Sequence, residues 1–244
     1  MNEASGTVIG WVMKIAPYAV VALLGAVVAR FGLDVLRSLL VYALTVVLGL
    51  ALHGLRTLAL LVRFAARLNP VVFYQRVAPA PLVAFSTSSS NATLPVTMET
   101  AERRLGISRE VKSFVLPLGA TINMDGTALY QAVAVIFIAQ LYGIPMDIGK
   151  QLITVLTATL ASIGAAGVPS AGLITLIVVL NSVGLGGQAQ AGIALILGVD
   201  RILDMCRTTL NVTGDLTAAA YVARTESEWD PRTVNAEGKL ERVA

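Results

Sequence analysis

The stretch DRILDMCRTTLNVTGD, residues 200–215, limits what this chain can become more than any other part of it. On a helix advancing about 100° per residue, Asp200, Asp204, Arg207, Thr208, Asn211 and Asp215 fall within an arc of roughly 100°. They make one polar face, about 22 Å long at about 1.5 Å per residue, which is most of the thickness of a bilayer's hydrocarbon layer. The residues just before it, AGIALILGV, are as apolar as lipid. A charged face beside such a run belongs on a membrane helix that turns the face into the protein, because ionised groups in a membrane are costly and are kept inside with partners. A soluble helix with one solvated side is the competing reading. Composition weighs against it: the chain is 56% hydrophobic and only 14% charged, with a mean hydropathy of +0.76, and a soluble domain would expose far more charge.

The same composition closes off other classes. The net charge is +3, but Lys and Arg stand at the ends of apolar runs instead of forming a stripe with aromatics. That is the positive-inside pattern and not a nucleic-acid surface. One cysteine, Cys206, allows no internal disulfide and reads as a small packing residue; one histidine, His53, allows no multi-histidine zinc site. The start, MNEASGTVIGWVMK, has acid before its apolar run and no basic leader, so it does not read as a cleaved signal peptide.

Taken in order, residues 8–30 are long enough to span, with Pro17 as a kink, and residues 35–63 form a second, longer apolar run that contains His53. His53 reads as a helix-interface residue, with proton handling as the other option. From residue 68 the pattern changes. NPVVFYQRVAPAPLVAF is too short and proline-broken to cross, and it runs into STSSSNATLP before the basic loop of Arg103, Arg104, Arg109 and Lys112. This predicts a hairpin that enters the membrane and turns back, with small hydroxyl residues and free backbone N–H groups at its tip, a natural anion seat. Residues 111–142 can cross, but LGATINMDGTALY puts Gly119, Asn123, Asp125 and Gly126 mid-span, which predicts a broken helix with free carbonyls beside a carboxylate. Such oxygen-rich breaks suit a hard cation such as sodium. Residues 148–163 and 170–183 form a second short pair, joined by GAAGVPS, which reads as a lid. The polar-faced helix follows, then a hydrophilic tail after Arg224 that we expect to be poorly ordered. Two hairpins, each followed by a helix with polar residues at mid-depth, make a weak internal repeat; the charged loop after the first hairpin against the uncharged one around 184–191 fits inversion and places the first hairpin's base and the tail in the cytoplasm. The fold class is therefore an all-α membrane protein: transmembrane helices, two re-entrant helical hairpins, a broken helix, and an inverted-repeat core.

Together, STSSSNATLP, NMDGTALYQ, SIGAAGVPSAG and LDMCRTTLNVTGD resemble the four signature elements of the dicarboxylate/amino acid:cation symporter family, the glutamate transporters and their prokaryotic homologues. The resemblance covers residues 8–224. It implies a secondary active transporter and not an enzyme: sodium-coupled symport of an acidic amino acid, aspartate or glutamate, by an elevator-type movement of a core against a trimeric scaffold in the cell membrane, for a prokaryote the cytoplasmic one. It assigns residues 1–33 to a scaffold remnant, the fifth family helix, and 34–224 to the transport core: a helix, a re-entrant hairpin at 68–104, a broken helix at 110–143, a second hairpin at 147–184 and the polar-faced helix at 190–223. Residues 225–244 are the cytoplasmic tail. By the same resemblance Arg207 pairs with the substrate's side-chain carboxylate, for which a guanidinium fork is the right shape, and Asp204 accepts its amino group. Ser89, Ser90, Thr127, Val168, Thr208 and Asn211 complete the substrate set. Gly119, Asn123, Asn211 and Asp215 match one sodium site, Asn123 and Asp125 a deeper one, and the carbonyls of Thr121, Met124, Ser162 and Ile163 a site tied to lid closure. Asp200 shares the helix face without a matched role.

The match begins at the fifth helix of the family pattern, so a homotrimer is implied only where the first four helices are supplied, and a fragment that binds without transporting is one alternative. Members carry an extra arginine at one of two positions that are Ser88 and Met205 here. Proton-coupled glutamate or C4-dicarboxylate symport is a nearer rival, although Asp204 has little to bind in a solute without an amine. Asp125 with Asp215 also reads as a structural polar pair, and Asp204 with Arg207 as two charges neutralising each other three residues apart. Asn91-Ala92-Thr93 and Asn211-Val212-Thr213 fit the glycosylation pattern by chance, since both lie in membrane segments. A membrane hydrolase built on the serine cluster lacks a nearby base and the Gly-x-Ser-x-Gly elbow.

Overall fold

The computed structural model describes residues 32–229, together with positions 18, 21, 22, 25, 28 and 29. The first apolar run and the 1–33 unit lie mostly outside the described residues, as does the tail from residue 230. The described chain is helical: α1 (Asp34–Leu52), a π-helical turn (His53–Leu58), α2 (Ala59–Phe64), α3 (Pro70–Val77), α4 (Pro79–Thr87), α5 (Ser90–Leu105), α6 (Arg109–Ile122), α7 (Asp125–Leu141), α8 (Ile148–Ile163), α9 (Ala171–Ser182) and α10 (Gly186–Thr225). Two stretches are long and apolar enough to cross a membrane, Asp34–Phe64 and the interrupted Arg109–Leu141.

Local chemistry sets the boundaries. Asn69 starts α3 by accepting the Val71 amide at 2.9 Å, with Pro70 in the first turn, where its missing N–H costs nothing. Ser89, Ser108 and Asp147 cap α5, α6 and α8 in the same way. Gly106, at φ 72°, closes α5 in the left-handed conformation that glycine adopts freely. The break between α6 and α7 is confined to Asn123 (φ −95°, ψ 72°) and Met124 (φ −109°, ψ 56°), neither of which has helical dihedrals. Both hairpins turn at a serine forced left-handed, Ser88 (φ 51°) and Ser170 (φ 61°).

α10 is the axis on which two apolar cores are hung. Leu195, Ile196, Leu203 and Leu210 belong to a core shared with α1, α7 and α9; Val212, Leu216, Ala219, Ala220 and Ala223 belong to a second one shared with α3, α4, α5 and α6. The charged face of α10 lies against the broken helix and the hairpin tips, where these two cores meet. The beginning of the tail folds back: the Ser108 amide donates to the Glu228 carbonyl at 3.0 Å, Ile107 and Trp229 form a β-bridge, and Trp229 packs on the second core. At the hairpin's charged base, Lys112 pairs with Glu102 and holds its carboxyl below the usual carboxylate range.

Close helix contact at α10 depends on Gly192, where an added Cβ would stand 2.8 Å from Ile138 Cδ1. Gly192→Leu is expected to destabilise the fold by about 1–3 kcal/mol through overpacking, read as a lower Tm in detergent. Gly187→Ala, with nothing within 4 Å of the new methyl, should leave the Tm at or slightly above that of the unaltered protein.

Candidate functional site

Three turns of α10 present a polar side chain each to the interior, and each meets a different partner. At the first, Arg207 is 2% exposed. Its Nε donates to Asp204 Oδ1 at 2.9 Å and its Nη1 to Asp200 Oδ1 at 3.3 Å. The guanidinium lies 4.4 Å above the ring of Tyr130 in α7, a cation–π contact. Its Nη2 is buried with no partner, and Gly172 of α9 stands so close that a Cβ would come within 3.2 Å of that nitrogen.

At the second level, Asn211 Oδ1 accepts the Gly126 amide at 2.8 Å, and its Nδ2 donates to Thr127 Oγ1 at 3.2 Å. The N-terminal turn of α7 is thereby tied to α10. At the third, Asn123 Nδ2 donates to Asp215 Oδ1 at 3.0 Å, and Gly119 leaves the room that Asp215 occupies, since a Cβ there would be 2.6 Å from Oδ1. Asp125 sits beside this pair, taking the Gly126 amide on Oδ1 at 2.9 Å and bonding His53 Nε2 through Oδ2 at 2.8 Å. The π-helical turn that begins at His53 adds a residue to the helical turn at that point, as such turns often do at functional sites.

The hairpin tips close the region. Ser89 Oγ donates to the Gly167 carbonyl at 2.6 Å, the Asn91 amide donates to the same carbonyl at 3.1 Å, and the Ser170 amide donates to Asp204 Oδ2 at 2.7 Å. A small cavity remains, lined by Ser88, Ser90, Met124, Thr127, Val168, Gly172, Asp204, Arg207, Thr208 and Asn211, with Ala165, Ala166, Gly167 and Ala171 of the second hairpin.

Most of the candidate residues are therefore brought together. Ser90, Thr127, Val168, Asp204, Arg207, Thr208 and Asn211 line one cavity, whereas Ser89 spends its hydroxyl on hairpin contact. Gly119, Asn123, Asp125 and Asp215 gather one layer away. Met124 lines the cavity as well, and three candidates belong to neither group: Thr121 donates its hydroxyl to the Leu118 carbonyl, Ser162 donates to the Thr159 carbonyl, and Ile163 is exposed. Among the described residues no three His, Cys, Asp or Glu side chains cluster as a metal site would need. Any cation held here would rely on amide and carbonyl oxygens beside single carboxylates, hard donors that suit an alkali cation better than zinc or iron. Sequence reasoning missed Tyr130 beneath Arg207, Gly172 beside it, Ser170 on Asp204 and His53 on Asp125. Each is a contact across more than thirty residues of chain, except that Asp200 on Arg207, seven apart on one helix face, was legible from spacing.

An all-helical membrane protein with re-entrant hairpin tips meeting over buried charges is the class that this fold and site define. Residues 1–225 match the sodium:dicarboxylate symporter family, and the chain belongs to that family, one of transporters. It is 47% identical over 213 residues to an excitatory amino acid transporter of Caenorhabditis elegans, covering 86% of this chain and 42% of that protein. It is 46% identical over 225 residues to human excitatory amino acid transporter 2, covering 91% and 38%, and 44% identical over 245 residues to the mouse protein of that name, covering 99% and 42%. The chain thus spans about two fifths of the length of these relatives.

The Gly126 contact provides a test of the site's geometry. A Cβ there would lie 2.6 Å from the Arg207 carbonyl and 2.9 Å from Asn211 Oδ1, so Gly126→Ala must push α7 off α10. The expected result is a folded but less stable protein, by about 1–3 kcal/mol, whose Arg207 and Asn211 side-chain resonances shift while those of the α3–α5 hairpin do not.

Proposed function

We propose that this chain forms the solute- and cation-binding core of a sodium-coupled symporter for acidic amino acids, aspartate or glutamate. The observation that carries this reading is the unpartnered, buried Nη2 of Arg207 on the cavity. A guanidinium with two of its nitrogens on carboxylates and the third free is a receptor for one more carboxylate, and leaving that donor unpaired in a low-dielectric interior is costly. The solute's amino group goes to Asp204, and its α-carboxylate to the amides at the start of α5, where Ser90 stands in the first turn and the helix end favours an anion. Sodium ions are held by Asp125, Asp215, Asn123 and Asn211 with the carbonyls of the α6–α7 break, Gly119 and Met124 among them, and with Thr121, Ser162 and Ile163 once the second hairpin moves.

The excitatory amino acid transporters to which the chain is similar carry their solute class in their names, which favours the same class here. Residues 34–224 form the moving part of an elevator, residues 1–33 belong to the scaffold, and a homotrimer forms when the upstream half is present. The relatives named above are animal proteins and lend a prokaryotic membrane no support. Proton coupling is the rival reading, and its one specific support is His53 on Asp125.

Calorimetric titration of the purified protein with L-aspartate and L-glutamate, in sodium chloride and in choline chloride at one pH, tests this. Binding is expected in sodium only. Arg207→Ala should weaken it by roughly 30-fold or more, the effect of truncating one partner of a buried charge pair, and Arg207→Lys, which keeps the charge without the fork, should weaken it less. Equal heats in choline would remove sodium coupling, and unchanged affinity in both variants would remove Arg207 as the receptor.

A further inference from the structure

Between residues 35 and 98 the chain holds Arg37, Arg56, Arg63, Arg67 and Arg76 and not one Asp or Glu. Arg56, Arg63 and Arg67 stand toward the C-terminal end of the apolar stretch Asp34–Phe64, whose 31 residues are about 46 Å long at about 1.5 Å per residue. A hydrocarbon layer is about 30 Å thick, so the last turns of this stretch reach the headgroup layer. Arg56, Leu60, Arg63 and Phe64 share one helix face, and all four are exposed. Arg56, Thr57, Leu60, Leu61, Phe64 and Ala65 line a groove of about 350 Å³ along it. Just past the groove the Leu68 amide closes on the Val62 carbonyl at 3.0 Å, and Arg67 takes φ 57°. Glycine reaches that conformation without penalty, yet an exposed arginine occupies it. None of the ion pairs among the described residues includes Arg56, Arg63 or Arg67. A cation is favoured at a helix C-terminus, which accounts for Arg63. It does not account for Arg56, two turns earlier among exposed leucines, where a guanidinium without an anion is costly.

We propose that this face is a seat for an anionic phospholipid of the cytoplasmic leaflet. Its phosphate sits on Arg63 and Arg67, Arg56 reaches up to it, and an acyl chain lies along Leu60, Leu61 and Phe64. A guanidinium matches a phosphate in shape as well as in charge, and basic residues at the cytoplasmic end of a span are where anionic headgroups collect. A protein helix would have to bring carboxylates to a face that is otherwise apolar, whereas an anionic lipid supplies the charge and the chain in one molecule. The charge bias of the loops puts this end in the cytoplasmic leaflet, and the identity of the solute plays no part in the contact.

Native mass spectrometry of the purified protein in detergent, titrated with equal amounts of phosphatidylglycerol and phosphatidylcholine, reads the seat directly. Phosphatidylglycerol should bind about 25-fold more tightly, about fivefold for each of two arginines at the headgroup, and the preference should fall as salt rises. Arg63→Ala with Arg67→Ala should abolish the preference, Arg63→Lys should keep most of it, and Phe64→Ser should weaken both lipids alike. Arg109→Ala, in the basic loop after the first hairpin, should leave it unchanged. Equal binding of the two lipids, a preference that survives the double alanine variant, or one that Arg109→Ala removes as fully, would overturn the seat. So would displacement of phosphatidylglycerol by an equal concentration of glycerol 3-phosphate, which has the charge without the chains. A dimer in the spectra in place of bound lipid would overturn it too, by making the face a contact between two copies. All the substituted side chains are exposed, and Tm values matching the parent exclude unfolding.

Discussion

Burial of Arg207 is the constraint that the rest of the structure answers to. Taking a guanidinium out of water costs several kcal/mol, and the chain offsets this with two carboxylates on the same helix face and an aromatic ring beneath. The offset overshoots in charge. Counting formal charges, Asp200 and Asp204 against Arg207 leave one negative charge, and Asp125 and Asp215 one layer away add two more. A site this negative receives an acidic amino acid poorly on its own, since that solute carries a net negative charge as well. Cations entering with it remove the conflict. The cation coupling proposed above would then follow from the charge set itself.

Backbone breaks supply what side chains cannot. A continuous helix has no carbonyl to spare for a cation and no amide to spare for an anion, because each is bonded four residues along. Asn123 and Met124 leave helical dihedrals beside Asp125, and the tips at Ser88 and Ser170 leave them beside Ser90 and Asp204. The Ser170 break gives its amide to Asp204 of α10, and the α6–α7 break sets the Gly126 amide against Asp125 and Asn211; irregular backbone at membrane depth is tolerable only where protein or a polar cavity surrounds it.

Periodicity made much of this legible. The charged face at 200–215 survives as drawn, because i, i+3, i+4 spacing on an uninterrupted helix has one geometrical meaning. The break was legible too, since Gly119, Asn123 and Gly126 are poor helix residues in an apolar span, although sequence could not place it at Asn123–Met124. What sequence could not show is contact between segments. Tyr130 lies in a run, ALYQAVAVIF, whose residues are apolar enough for any face to be the buried one. Ser170 is one small residue in a flexible link, and its bond to Asp204 is made by the backbone amide, which every residue but proline possesses. The π-helical turn at His53 has no residue pattern that distinguishes it from the α-helix on either side. The tail illustrates the converse: its hydrophilic composition predicts disorder from residue 225, yet Trp229 is large and apolar enough to pack on the second core and bring its neighbours with it.

The two hairpins are not independent, because one carbonyl joins them. Gly167 O accepts both the Ser89 hydroxyl and the Asn91 amide, so the first turn of α5 is capped partly by the opposite hairpin. Gly167 is also the position where no side chain fits, a Cβ there coming within 3.0 Å of Asn91 and of the Ala120 carbonyl. The second tip thus holds two groups at once: its Gly167 carbonyl takes the amide at the start of α5, and its Ser170 amide is taken by Asp204. Donors and a carboxylate on one cavity are thus occupied by the same tip, and those are the groups that, on the reading proposed above, a zwitterion with an ammonium and a carboxylate at one end would occupy. The tip's own bonds stand in for those proposed for the solute, so the buried donors and the carboxylate are not left unpaired.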